Sequence, residues 1–132
     1  MRRNSLMRSM SDAFNRWAQQ VVEHPHLGEL FYRAIYDFES LEGADLLRFS
    51  AFMNQAFRNL EELYYLKAEG HLERRVWRGW EAAMRDFNAY PGVQAWWRSR
   101  SHWFSQEFAN LIDQVHETAE APKLYREANV DQ

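Results

Sequence analysis

The apolar residues of this chain recur at alternating intervals of three and four residues in one segment after another. This spacing places them on one face of an α-helix, because the helix turns once every 3.6 residues. No segment alternates between apolar and polar residues over strand length, and no Asn-Gly or Asp-Gly hairpin turn occurs. The pattern therefore predicts an all-α fold, an antiparallel bundle of about five to six helices.

The third of these helices is predicted to be much longer than the others. Pro25 ends the first helix near His24, and the second helix follows it to about Phe38. Ser40 is a candidate N-cap for a helix of residues 41 to 69, which would be about 40 Å long. Its buried stripe is predicted to contain Leu46, Phe49, Met53, Ala56, Phe57, Leu60, Leu63 and Tyr64. We expect this helix to form the centre of the bundle.

Turn residues are predicted to have structural roles where the later helices begin and end. Gly70 is expected to take the left-handed conformation that ends the third helix, so that the third and fourth helices form an antiparallel hairpin. Pro91 suits the first position of a short fifth helix, and Gly92 follows it. Ser105 is the candidate N-cap of the sixth helix.

Composition limits the class of protein. The 132 residues are expected to form one domain, with residues 1–121 in the bundle and residues 122–132 as a frayed C-terminal tail. Sixteen Lys and Arg against nineteen Asp and Glu give a net charge of −3, which does not indicate a nucleic-acid partner. The absence of Cys excludes a disulfide framework, a thiol nucleophile and cysteine-based zinc or iron–sulfur sites.

The N-terminus is basic, but Arg8 directly follows Leu6 and Met7, so no apolar core of a signal peptide is present. The longest apolar run is about four residues, far below the length of a membrane span. The sequence therefore predicts a soluble protein in the cytoplasm, or at the cytoplasmic face of the membrane through an anchor that is missing from this chain.

Motifs for metal binding are incomplete. Glu23 and His26 have the spacing of a carboxylate-bridged metal site, but Pro25 interrupts the helix between them and no second Glu-x-x-His occurs. His71 and Glu73 match half of the zinc deaminase signature, whose other half requires cysteines. We predict no metal site and no cofactor.

Catalytic groupings are also incomplete. Asp113 and His116 lie one turn apart on the sixth helix, and the candidate nucleophiles upstream are Ser99, Ser101 and Ser105. A triad also needs an oxyanion hole and a rigid turn at the nucleophile, so we interpret Asp113 and His116 as a surface pair. Glu61 and Glu62 are interpreted as part of a solvated face, with Lys67 near enough for a helical charge pair. No catalytic residue is predicted.

Charge is unevenly distributed along the chain. Residues 37 to 45 contain no base and four acids, which are Asp37, Glu39, Glu42 and Asp45. Residues 74 to 100 contain six Arg and two acids, with tryptophans between them. Basic residues beside aromatic ones can follow a phosphate backbone and stack on bases. Trp77 and Trp80 also match a buried stripe with Met84 and Phe87, so both interpretations stay open.

The neighbouring tryptophans Trp96 and Trp97 point about 100° apart on a helix, so both are buried only if a wide face is covered. One of them is expected to border solvent, in a candidate interface made of Trp97, Arg98, Arg100, His102 and Trp103. Trp and Arg are favoured at the centres of interfaces. In this interpretation at least one of Trp97 and Trp103 is exposed in the monomer; in the alternative, both Trp96 and Trp97 pack in the core.

Three stretches carry a resemblance to known proteins: RFSAFMNQAFRNLEELYYLKAEGHLERRVW (Arg48 to Trp77), YPGVQAWWRSR (Tyr90 to Arg100) and FSQEF (Phe104 to Phe108). From Pro25 onward the chain resembles a group of uncharacterised bacterial all-helical proteins. That group usually has an N-terminal membrane anchor, which is absent here, and often an Asp where this chain has Glu73. The resemblance implies a helical fold and assigns no catalytic residue. A more distant similarity is to proteins labelled as phage abortive-infection factors.

Together these observations predict a non-enzymatic interaction or scaffolding module that binds a protein, with a second copy of the chain as one candidate partner. The alternative is a nucleic-acid-associated helical protein in phage defence, and a third interpretation is an enzyme of unrecognised type. Added salt separates the first two, because phosphate contacts weaken steeply with salt and apolar interfaces do not.

Overall fold

The computed structural model describes residues 2–123, and these residues form six α-helices and no strand. The helices are α1 (Arg2–Glu23), α2 (Pro25–Tyr36), α3 (Gly43–Ala68), α4 (Arg74–Phe87), α5 (Pro91–Arg100) and α6 (Gln106–Glu117). Short 3₁₀ turns at Phe38–Ser40 and Ser101–Trp103 precede α3 and α6. The all-α prediction is confirmed. The tail predicted for residues 122–132 lies outside the described residues from residue 124 onward.

The long helix α3 lies at the centre of the bundle, as the sequence predicts. Its 26 residues span about 39 Å, and it packs against α1, α2 and α5. Phe57 lies near the middle of α3 and is fully buried. Aromatic rings from α4, α5 and the segment before α6 surround it. Ring centroids within 6.2 Å of Phe57 include those of Phe87, Trp96, Trp97 and Phe104. One side chain of α3 therefore joins three later parts of the chain.

The start of α3 differs from the prediction. Ser40 is not its N-cap; the Ser40 hydroxyl donates to the Asp37 carbonyl at 2.8 Å and closes the 3₁₀ turn. Leu41 follows in extended backbone with its side chain buried, so the chain enters the core before the helix begins at Gly43. Gly43 has a φ of +56°, which favours glycine at this position.

The buried stripe of α3 is also wider than predicted and begins later. Leu46 was expected in the core, but it is 37% exposed, and the first buried residue of α3 is Phe49. Phe52 lies outside the predicted stripe and is buried, since the Trp17 ring of α1 stacks on it at 4.4 Å. Helices pack on both sides of α3, so more than one stripe of its surface is covered.

Gly70 ends α3 as predicted, with a φ of +80°. The amide of His71 donates to the carbonyl of Leu66 at 2.8 Å, and the amide of Gly70 donates to that of Lys67 at 3.1 Å. These two bonds form a complete Schellman motif, which satisfies carbonyls that the helix end leaves without partners.

The chain reverses direction at this motif, so α4 runs antiparallel to α3. The ammonium of Lys67 lies 5.6 Å from the centre of the Trp77 ring, just after the turn. Ten residues earlier on α3 and ten later on α4, the rings of Phe57 and Phe87 lie 5.9 Å apart. The predicted hairpin of these two helices is therefore confirmed.

The helix α5 approaches α2 very closely at Gly92. A Cβ atom at this position would lie 1.9 Å from the carbonyl oxygen of Ala34 and 2.6 Å from the Cα of Ile35. These are backbone atoms in the fully buried part of α2, so they have no side-chain freedom with which to yield. Pro91 occupies the first turn of α5, as predicted, and Gly92 permits the contact between the two helices.

We expect Gly92→Ala to lower the free energy of unfolding by about 3 kcal/mol or more, because the added methyl group forces the two backbones apart. Gly79→Ala is the matched control: a Cβ there meets no atom within 4 Å. Its better helix propensity should raise stability by up to about 1 kcal/mol. Urea denaturation measures both variants. If Gly92→Ala were as stable as Gly79→Ala, the role given to Gly92 would be contradicted.

Candidate functional site

The segment that joins α5 to α6 is fixed by three side chains of α3. A guanidinium nitrogen of Arg58 donates to the Trp103 carbonyl at 3.2 Å. The Glu61 carboxylate accepts from the Ser105 amide at 2.9 Å, and the Tyr65 hydroxyl donates to the Ser105 hydroxyl at 2.6 Å. Ser105 in turn caps α6 as predicted. The backbone around Trp103 is therefore held rigidly against the central helix.

This fixed segment presents an aromatic ring and an imidazole, next to two arginines at the end of α5. Trp103 is 46% exposed, and the guanidinium carbon of Arg100 lies 5.1 Å from the centre of its ring. The exposed imidazole of His102 lies 6.2 Å from the same ring, and Arg98 is exposed one helical turn before Ser101. We call Arg98, Arg100, His102 and Trp103 the candidate surface.

Trp97 does not belong to this surface, contrary to the prediction. It is 1% exposed, and its ring packs against Phe57 at 4.9 Å. Its indole N–H donates to the Asp113 carboxylate at 2.9 Å, and that of Trp96 donates to the Ser50 hydroxyl at 2.9 Å. Both neighbouring indoles are buried because α3 and α6 cover α5 from two sides. The exposed member of the predicted pair is Trp103.

Asp113 and His116 do not form the surface pair that their spacing predicts. The Nε2 of His116 lies 2.7 Å from the Oδ1 of Asn88, which is fully buried. The Nδ2 of Asn88 donates to the Met84 carbonyl at 2.8 Å, so its Oδ1 is the acceptor and His116 the donor. Burial lowers the pKa of His116 to about 4; the charge of Asp113 opposes this shift and that of Arg98 adds to it.

The serines upstream are not brought to His116. The hydroxyl of Ser99 donates to the Trp96 carbonyl at 2.7 Å, and Ser105 is engaged by α3. With His116 bonded to Asn88 and Asp113 bonded to Trp97, the described side chains do not assemble a triad.

His24, which lies between α1 and α2, and His26, in the first turn of α2, do not form a metal site either. The Nε2 of His26 lies 3.8 Å from the Asp45 carboxylate, which Arg33 and Arg48 also approach. Among residues 2–123, no group of three His, Cys, Asp or Glu side chains has a geometry that could hold a metal ion.

The tryptophans that lie between the arginines of residues 74–100 are not exposed rings on which nucleic-acid bases could stack. Trp80 is half-buried and packs on Phe14 with ring centroids 4.5 Å apart, and Trp77 is half-buried beneath Lys67. Trp96 and Trp97 are fully buried. This placement matches the core interpretation of the tryptophans.

Sequence reasoning missed Arg58, Glu61 and Tyr65. Glu61 was interpreted as part of a solvated face, but its side chain is 17% exposed and bonds to Ser105. The three residues recur at intervals of three and four, so they form one polar stripe along α3. This spacing was the available signal for a polar contact with another part of the chain.

Comparisons of the chain with family models, with curated proteins and with solved structures gave no match. The resemblance to a bacterial helical group thus stays a prediction. Within residues 2–123, no helix is both long enough and apolar enough to cross a bilayer.

Substitution with alanine distinguishes the buried Trp97 from the exposed Trp103. Trp97→Ala should lower the free energy of unfolding by about 3–5 kcal/mol, because it empties a buried site and leaves Asp113 without its donor. Trp103→Ala should cost less than about 1 kcal/mol, since it removes an exposed cation–π contact. Urea denaturation compares them. Equal losses would contradict the assignment of Trp103 to the surface.

The half-buried His116 makes stability sensitive to acid. Its pKa is about 4 in the folded chain and 6.5 in the unfolded chain. As the pH falls from 6.5 towards 4, the unfolded chain binds a proton that the folded chain does not, so stability decreases in this window. Below about pH 4 both states carry the proton and the loss ends.

We therefore expect His116→Gln to lose less stability than the unchanged chain between about pH 7 and about pH 4.5. Glutamine keeps an N–H donor for Asn88 and does not titrate. Both proteins have the same carboxylates, so the difference between their losses of stability removes the contribution of those carboxylates. Urea denaturation at each pH gives the difference. Parallel losses in the two proteins would show that His116 does not carry this sensitivity.

Proposed function

We propose that the protein is a non-enzymatic helical interaction module, which binds a protein partner through the candidate surface. The observation that carries this proposal is the exposure of Trp103 beneath Arg100, on backbone that α3 holds in place. Tryptophan and arginine dominate binding energy at interfaces when they are central and rigid. A surface that is already ordered loses little conformational entropy on binding.

The remaining polar groups of this region support a binding role over a chemical one. His116 has the displaced pKa that is typical of catalytic groups, but its Nε2 is committed to Asn88. Asp113 is committed to Trp97. Both side chains thus serve the packing of α4, α5 and α6.

A single exposed indole also supports a protein partner over a nucleic acid. Binding of single-stranded nucleic acid uses successive aromatic side chains, one for each stacked base. In the arginine-rich segment the other tryptophans pack inward, and of the tryptophans in residues 77–103 only Trp103 is exposed, at 46%.

Photo-crosslinking tests the proposal. A benzophenone amino acid replaces Gln106, which is exposed and lies within about 11 Å of Trp103 by the reach of three residues. The matched control places the same group at Gln19, which is exposed on α1. Irradiation of cells that make each protein should give a protein adduct at position 106 and none at position 19.

The same experiment with Trp103→Ala should lose the adduct at position 106, because the central anchor of the interface is removed. Absence of any specific adduct at position 106, or an adduct that persists unchanged in Trp103→Ala, would overturn the proposed function.

A further inference from the structure

We infer that the partner is a second copy of this chain, whose acidic turn binds the candidate surface. The acidic turn consists of Asp37, Glu39 and Glu42, just before α3. This inference rests on the proposed function, since it names the occupant of the same surface.

The acidic turn carries three exposed carboxylates that have no cation beside them. Within residues 2–123, none of Asp37, Glu39 and Glu42 forms an ion pair. Asp45, the fourth acid of this segment, has a different environment: Arg33 lies 3.0 Å and Arg48 3.7 Å from its carboxylate. The neighbouring cations are therefore used by Asp45, and the turn keeps its negative charge.

The candidate surface has the opposite character. Arg98 is exposed and Arg100 is half-buried, and no described carboxylate lies within ion-pair distance of either guanidinium. Arg85 and Arg75, which belong to the same arginine-rich segment, are each paired with a glutamate. Arg98 and Arg100 therefore carry positive charge that no described carboxylate pairs with, and the Arg100 guanidinium lies against the Trp103 ring.

The acidic turn and the candidate surface adjoin the same helix. The 3₁₀ turn Phe38–Ser40 packs against α5, and α5 ends in Arg98 and Arg100. No ion pair joins the turn to the surface within one molecule. A copy related by a two-fold axis would place each acidic turn on the other molecule's surface, so that the contact forms twice. Charge complementarity of this kind fixes both partner and register.

A charge-swap experiment tests this inference by sedimentation equilibrium. The first variant carries Arg98→Glu and His102→Glu, and the second carries Glu39→Lys and Glu42→Lys; all four positions are exposed, so the fold should be kept. Each variant alone should associate at least about tenfold more weakly than the unchanged chain, because like charges then face each other. An equimolar mixture of the two should recover association, because opposite charges face each other again.

The matched control carries Arg74→Glu and Arg78→Glu, which change charge at exposed positions of α4. The self-association of this control should equal that of the unchanged chain. The self-association of the unchanged chain should weaken as NaCl rises from about 50 to about 500 mM, because salt screens the charges. Three results would overturn the inference: an unchanged chain that stays monomeric, a mixture that associates no better than its components, or a control that is equally impaired.

The crosslinking at position 106 separates this inference from the proposed function. An adduct with the mass of two copies supports both. An adduct with a foreign protein, together with a monomeric unchanged chain, supports the proposed function and overturns the self-association. Absence of any adduct from a monomeric chain overturns both.

Discussion

The contact between α5 and α2 at Gly92 determines where the largest side chains of the bundle can lie. With no Cβ at this position, the start of α5 rests directly on the backbone of Ala34 and Ile35. From that depth the following turns carry Trp96 and Trp97 into the interior, where both rings meet Phe57. A greater separation of the helices would leave these rings without their neighbours, because a packed interior tolerates few voids.

A core so rich in tryptophan must also satisfy polar groups that it buries. The indole N–H of Trp17 donates to the Phe52 carbonyl at 2.8 Å, while those of Trp96 and Trp97 donate to Ser50 and Asp113. Each acceptor lies on a different helix from its donor, so the bonds specify which helices pack together. An unpaired buried donor costs about 1–3 kcal/mol, so these bonds oppose alternative arrangements of the aromatic rings.

The features that sequence predicted correctly are local ones. Gly70 and Ser105 were identifiable because helix ends use short-range chemistry that involves only a few neighbouring residues. The burial of Trp97 could not be predicted from the sequence, because the fraction of a helix surface that is buried depends on which other helices pack against it. Glu61 was misjudged for a related reason: its partner Ser105 is 44 residues away, and a helical charge pattern looks the same whether it meets water or another segment. At the start of α3, buried Leu41 outweighed the capping preference of Ser40.

The polar contacts that hold Trp103 in place have a consequence for biosynthesis. Arg58, Glu61 and Tyr65 reach partners that lie 45, 44 and 40 residues further along the chain. Contacts of such long sequence separation form late in folding, because a large loop must close before they are gained. While the ribosome still holds residue 105, α3 can be helical but the ordered segment around Trp103 does not exist. The nascent chain can thus form α3 before the segment around Trp103 becomes ordered, and incomplete chains do not present Trp103 on a fixed backbone.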